Sequence, residues 1–112
     1  MGRNIRQLIF DFYTNQKTPS DGKELLISSN MVNMIIAVTG DAKNFNIVVE
    51  AKANGTDDYT PVSVVNLETF AISPKITANG KYSLPLEGYV RVRLRLSDIG
   101  TGVVTAKGTV TD

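Results

Sequence analysis

Residues 89–96 read Tyr89-Val90-Arg91-Val92-Arg93-Leu94-Arg95-Leu96, a strict alternation of apolar and basic side chains. A period of two puts Val90, Val92, Leu94 and Leu96 on one face of an extended chain and Arg91, Arg93 and Arg95 on the other. On a helix the three arginines would scatter around the axis, so the segment is a strand with one dry and one wet side. Antiparallel sheets that pack on a core through a single face have this pattern.

Shorter pieces of the chain repeat it. Phe45, Ile47, Val49, Ala51 and Ala53 alternate with Asn46, Val48, Glu50 and Lys52, and the first set is expected in the core. Tyr82, Leu84 and Leu86 alternate with Lys81, Ser83 and Pro85, and a proline within a strand predicts an edge position. Near the end, Val104, Ala106, Gly108 and Val110 oppose Val103, Thr105, Lys107 and Thr109. Turn signals such as Asn54-Gly55, Asn79-Gly80 and Glu87-Gly88 separate strand-length runs at about 5–13, 23–28, 32–39, 45–53, 59–65, 67–72, 81–86, 89–97 and 102–110. No long helical pattern intervenes. The expectation is a single all-β domain: an antiparallel β-sandwich of jelly-roll or immunoglobulin-like type, with seven to nine strands. Its predicted core includes Phe45, Ile47, Val49, Tyr82, Leu84, Val90, Val92 and Leu94.

Two segments stand apart. Met31–Val38 is apolar on both faces except at Asn33, which predicts either a central strand covered twice or a face buried by a partner chain. Residues 1–22 divide from the sandwich domain at 23–112: Leu8, Phe10 and Phe12 form an apolar stripe, followed by the polar loop Asn15–Gly22. The stripe is read as a first strand of the same sandwich. The alternative is an arm that adds a strand to a neighbouring subunit, with those three residues as anchors.

Composition removes most chemistry. With no cysteine and no histidine, the usual triads, zinc sites and thiol nucleophiles are unavailable. No glycine-rich loop joins a strand to a helix, so a phosphate cradle has no support. The adjacent carboxylates Asp57-Asp58 sit in a hairpin loop, and a calcium site there would need oxygen ligands from other loops. No catalytic residue, cofactor or metal is therefore expected, and the chain is read as a non-enzyme; a carboxylate-dependent glycosidase is the nearest enzymatic alternative. Twelve basic residues against 11 acidic ones, a net charge of +1, argue against a nucleic-acid binder. Neither a signal peptide nor a run of about 20 apolar residues is seen, so no membrane partner is expected.

Two surface features remain as candidate sites. Arg91, Arg93 and Arg95 form a basic line about 14 Å long, suited to docking acidic groups of a protein partner or simply to a solvated face. Tyr59 and Tyr89 are candidate stacking platforms for a host glycan, which would make the domain a carbohydrate-binding module.

From about Ile35 to Asp112 the chain resembles small β-sandwich virion proteins of tailed bacteriophages and prophages, of the head-decoration, head-fibre or tail-accessory kind. The residues that carry this are Phe45–Ala51, Asp58-Tyr59-Thr60-Pro61-Val62, Thr77–Tyr82, Leu86–Arg93 and Gly100–Gly108. The resemblance implies a structural role as one of many copies, first of all in capsid decoration or a head fibre. A tail or baseplate accessory is the other placement. It implies a homo-oligomer whose partners are capsid or tail subunits, located in the virion after folding in the host cytoplasm. It carries over no catalytic residue.

Overall fold

The computed structural model describes residues 7–28, 30–55 and 58–111, so Asp57 of the predicted loop lies outside the described residues. Alternation becomes strand wherever it was long enough to bury a face. Among the described residues eleven strands follow in order: β1 (Gln7–Gln16), β2 (Glu24–Leu26), β3 (Asn33–Gly40), β4 (Asn46–Lys52), β5 (Thr60–Pro61), β6 (Val64–Asn66), β7 (Ile72–Ser73), β8 (Lys75–Ile76), β9 (Gly80–Pro85), β10 (Arg91–Asp98) and β11 (Val104–Thr111).

They build two antiparallel sheets. One has six strands in the order β1-β11-β3-β9-β6-β7; the other has five, β2-β10-β4-β5 with β8 also on β4. The strands β5 and β8 are two halves of one strand. Thr60 and Pro61 pair with Ala51 and Glu50, while Lys75 and Ile76 pair with Val48 and Ile47. Val49 lies at the break: its N–H donates to Pro74 O and its C=O accepts from Val62 N–H, each at 2.9 Å. Residues 62–74 leave through this gap and add the β6–β7 hairpin to the other sheet. Counted this way there are eight principal strands, and the sheets run 1-8-3-6 and 2-7-4-5, the order of a jelly roll.

The inner faces close on one core that includes Phe12, Met34, Ile36, Ile47, Val49, Leu84, Val92, Leu94, Leu96 and Val104. Phe45, Tyr82 and Ala51 join it as expected, but two predicted core residues do not. Ala53 is exposed because β4 ends at Lys52, and Val90 is half-buried because it precedes β10 at the open end of the sheet.

Pro85 is not on an edge strand, since β9 lies between β3 and β6. The neighbouring Leu86 N–H points to Val32 O on the β3 side at 2.8 Å, so the proline nitrogen faces the other way, where β6 has no residue to accept a bond. The strand β3 is central, with Met34, Ile36 and Val38 in the core and Ile35 and Ala37 half-buried on the outer face.

The first strand belongs to the sandwich and pairs with β11. Its apolar stripe deepens along the strand: Leu8 is exposed, Phe10 half-buried and Phe12 buried, with Phe10 edge-on to Phe12 at 4.8 Å. A register shift between Asp11 and Tyr13 turns Tyr13 inward beside Phe12. Gly108, directly across from Phe10, makes room there, because a side chain at 108 would collide with Met34 and Phe12.

Candidate docking face

The outer face of the five-stranded sheet collects the arginines. Facing outward on β10 are Arg91, Arg93 and Arg95; on β4, Val48, Glu50 and Lys52; on β2, Glu24 and Leu26; on the split strand, Pro61 and Lys75. Register sets the rows. Glu24, Arg93, Glu50 and Pro61 stand in one line across the sheet, and Arg95, Val48 and Lys75 in another.

The arginines are not a free basic line, as each holds a carboxylate. Arg91 Nη1 meets Glu24 Oε2 at 2.6 Å, and the Nε–H groups of Arg93 and Arg95 donate to the two oxygens of Glu50 at 2.9 and 3.3 Å. Glu50 is the one buried charged side chain among the described residues. A buried carboxylate needs such partners, and here two guanidinium groups close over it. The face holds five of the chain's 12 basic residues and two of its 11 acidic ones, a net +3; the remaining 7 basic and 9 acidic residues make −2.

Tyr59 is built into this cluster. Its ring lies under the Arg93 guanidinium at 4.0 Å and beneath Lys52 Nζ at 4.7 Å, a cation–π arrangement on both counts. Its hydroxyl is buried and makes no hydrogen bond of good geometry among the described residues. Burial first, and then the nearby Glu24 carboxylate, push the phenol up to about 12. The Arg91 contact, followed by the Tyr59 hydroxyl, holds Glu24 below the usual carboxylate range. The Tyr59 ring, a candidate glycan platform, thus already carries two cations.

Tyr89 lies elsewhere. It precedes β10 in a turn closed by its N–H to Leu86 O at 3.1 Å, so it does not share the arginine face. Its ring lines an open cleft of about 430 Å³ with Ile27, Met31, Leu86 and Val90. The two tyrosines are therefore placed in different surroundings. Asp58 is exposed, and no group of acidic side chains suited to a metal occurs among the described residues.

Glu24, Glu50, Lys52 and Lys75 are parts of this face that sequence reasoning did not single out. Alternation showed Glu50 and Lys52 pointing away from the core, but only register tells which arginine each meets.

No family model and no curated protein sequence matches the chain. Two crystal structures match it in fold. The SPBc2 prophage-derived protein YomS superposes with a TM-score of 0.89 at 19% identity, over all of this chain and 98% of that one. The PBSX exported protein XepA gives 0.90 at 16% identity over the whole of this chain, which spans 40% of the length of XepA. At these identities the likeness is one of fold.

Proposed function

We propose that this chain is a non-enzymatic structural protein of a bacteriophage or prophage particle, present in multiple copies and most simply as a capsid decoration or head-fibre component. The observation that carries this reading is the match to YomS, a prophage-derived protein, end to end in both chains. The arginine face and the open edges of the six-stranded sheet supply surfaces for contact with capsid or tail subunits and with further copies of the chain. On the outer edge, β1 shows Leu8 and Ile9; on the other, Phe70 and Ile72 flank and form β7. A tail or baseplate position would use the same surfaces.

XepA is described as exported, and that favours one second reading: a phage-encoded protein that acts outside the host cytoplasm without joining the particle. Induction of the phage followed by particle purification and quantitative mass spectrometry separates the two. The structural reading expects the chain in particles at a fixed ratio to the major capsid or tail protein. Its presence only in the medium or host fractions would favour the exported protein and overturn the structural one.

A further inference from the structure

The arginine face contains one device that a merely solvated surface would not need. Glu50 is buried and serves two arginines, Arg93 directly across from it and Arg95 one row along, so the trio keeps a positive charge. Both arginines are gripped through Nε–H, which fixes each guanidinium plane and leaves its terminal amino groups for other acceptors. Arg93 is held on a second side by the Tyr59 ring at 4.0 Å. On the β4 side of Arg95 basic charge predominates, since Val48 and then exposed Lys75 follow in the same row, while on the other side of β10 Asp21 follows Ser20, which bridges to Leu96. Arg95 retains 35% of its side-chain exposure and Arg93 22%, so both are fixed and still reachable.

We propose that Glu50 positions a two-arginine clamp, in which Arg93 and Arg95 receive the carboxylates of a partner protein's strand bearing acidic side chains at alternate positions. Alternate residues on a strand stand about 6.8 Å apart, the spacing of Arg93 and Arg95 themselves, so a strand laid along β10 presents its carboxylates in step. Fixed guanidinium forks take carboxylates through paired N–H donors, and the ordering of long side chains that binding normally requires is already done. A polyphosphate is the poorer occupant. Glu24 and Glu50 interrupt the face against any continuous line of negative charge, and Leu26, 62% exposed beside Arg91, suits a protein surface. The clamp deepens the docking reading and rests on the arginine face being used, but not on the partner belonging to a particle.

The test uses the full chain at low salt and follows the arginine Nε–H signals by NMR. The probes are a twelve-residue peptide alternating glutamate with threonine, a peptide of the same composition with its glutamates contiguous, and a polyphosphate of equal charge. The alternating peptide is expected to bind several-fold more tightly than the contiguous one and to move the Arg93 and Arg95 signals. Arg95→Gln should weaken it about tenfold, as loss of one charged hydrogen-bonded contact does. Arg95→Lys should weaken it as well, because the charge stays but the fork is lost.

Glu50→Gln separates positioning from simple charge. A positioning role predicts weaker binding despite the more positive face, whereas equal or tighter binding overturns it. If that variant does not fold, the Arg95→Lys result decides. Equal binding of both peptides, preference for polyphosphate, or no binding of the alternating peptide would each overturn the proposal. Particle association is read separately, so an absent clamp and an absent virion role give different results.

Discussion

The hydroxyl of Tyr13, on the first strand of the six-stranded sheet, lies 2.7 Å from the carbonyl oxygen of Leu94 in the other sheet. That carbonyl faces the side where β2 has ended, and the loop leading into β2 crosses instead. The same hydroxyl accepts from Leu96 N–H at 3.1 Å and is 2.9 Å from Ser20 O, while Ser20 bridges to Leu96 through both backbone bonds. Gly22 has φ +80° here, and a side chain on it would run into Leu94 O and the tyrosine hydroxyl. One phenol thus ties the first strand, the crossing loop and the arginine strand together.

Tyr13→Phe keeps the ring in the core but leaves Leu94 O without the hydroxyl. The expected loss is about 1–3 kcal/mol, the cost of a buried polar group left unpaired. Urea denaturation should show a lower midpoint with an unchanged slope. A midpoint equal to that of the parent would mean the tie contributes nothing.

Deleting residues 1–20 tests whether the first strand is an arm. Phe12 and Tyr13 are buried, and β1 covers the whole of β11. The truncated chain is therefore expected to lose cooperative unfolding, with intrinsic dye binding to exposed core. A detachable arm would leave a sharp transition near the parent midpoint.

Much of this was legible and some was not, for identifiable reasons. The strands β4, β9, β10 and β11 announce themselves because one face of each is buried over three or more alternating positions. Tyr13 was hidden because a register shift breaks the period of two just where Phe12 and Tyr13 turn inward together. The split strand was hidden because two-residue pieces carry no alternation, so 59–65 and 67–72 looked like ordinary successive strands. The arginine stripe was visible as a stripe, but its pairing with Glu50 and Glu24 depends on register between β10 and strands distant in sequence.

Alkaline pH should weaken the fold, and Tyr59 should account for part of it. Burial raises the phenols of Tyr13, Tyr59 and Tyr82, the second to about 12. A phenol that holds its proton more tightly folded than unfolded adds stability that is complete below the unfolded value near 10 and fades as pH rises through the folded one. Stability measured between about pH 9 and pH 12 should therefore fall, and Tyr59→Phe should make the fall shallower. Absorbance at the phenolate band gives the matching titration. An unchanged slope in the variant would show that Tyr59 ionises alike in both states.

Phe70 is 73% exposed and adopts φ +62°, a left-handed conformation that bulky side chains avoid. The turn holds it there: Asn66 Oδ1 accepts from the N–H groups of Glu68 and Thr69, and Phe70 N–H donates to Asn66 O at 2.7 Å. Phe70→Gly relieves that conformation with no core contact to lose, and should raise stability by up to about 1 kcal/mol. A drop in melting temperature would show instead that the phenyl ring packs on its own hairpin.

The split strand predicts its own repair. Residues 62–74 leave and return at Val49, whose two backbone groups are met by Val62 on one side and Pro74 on the other. A single residue in their place could exchange both bonds with Val49, as directly opposed residues in an antiparallel pair do, and join Pro61 to Lys75 in one continuous strand. Replacing Val62–Pro74 by one threonine should therefore preserve the jelly roll and a β-type circular dichroism spectrum. It should also cost stability, because Val64 is fully buried and the deletion uncovers the core beside β9; a lost valine of that kind is worth about 1.5–3 kcal/mol. A cooperative but lower transition is the expected outcome. If the shortened chain shows no cooperative transition even at low temperature with a stabilising osmolyte, the hairpin is part of the folding unit and not an insertion into it.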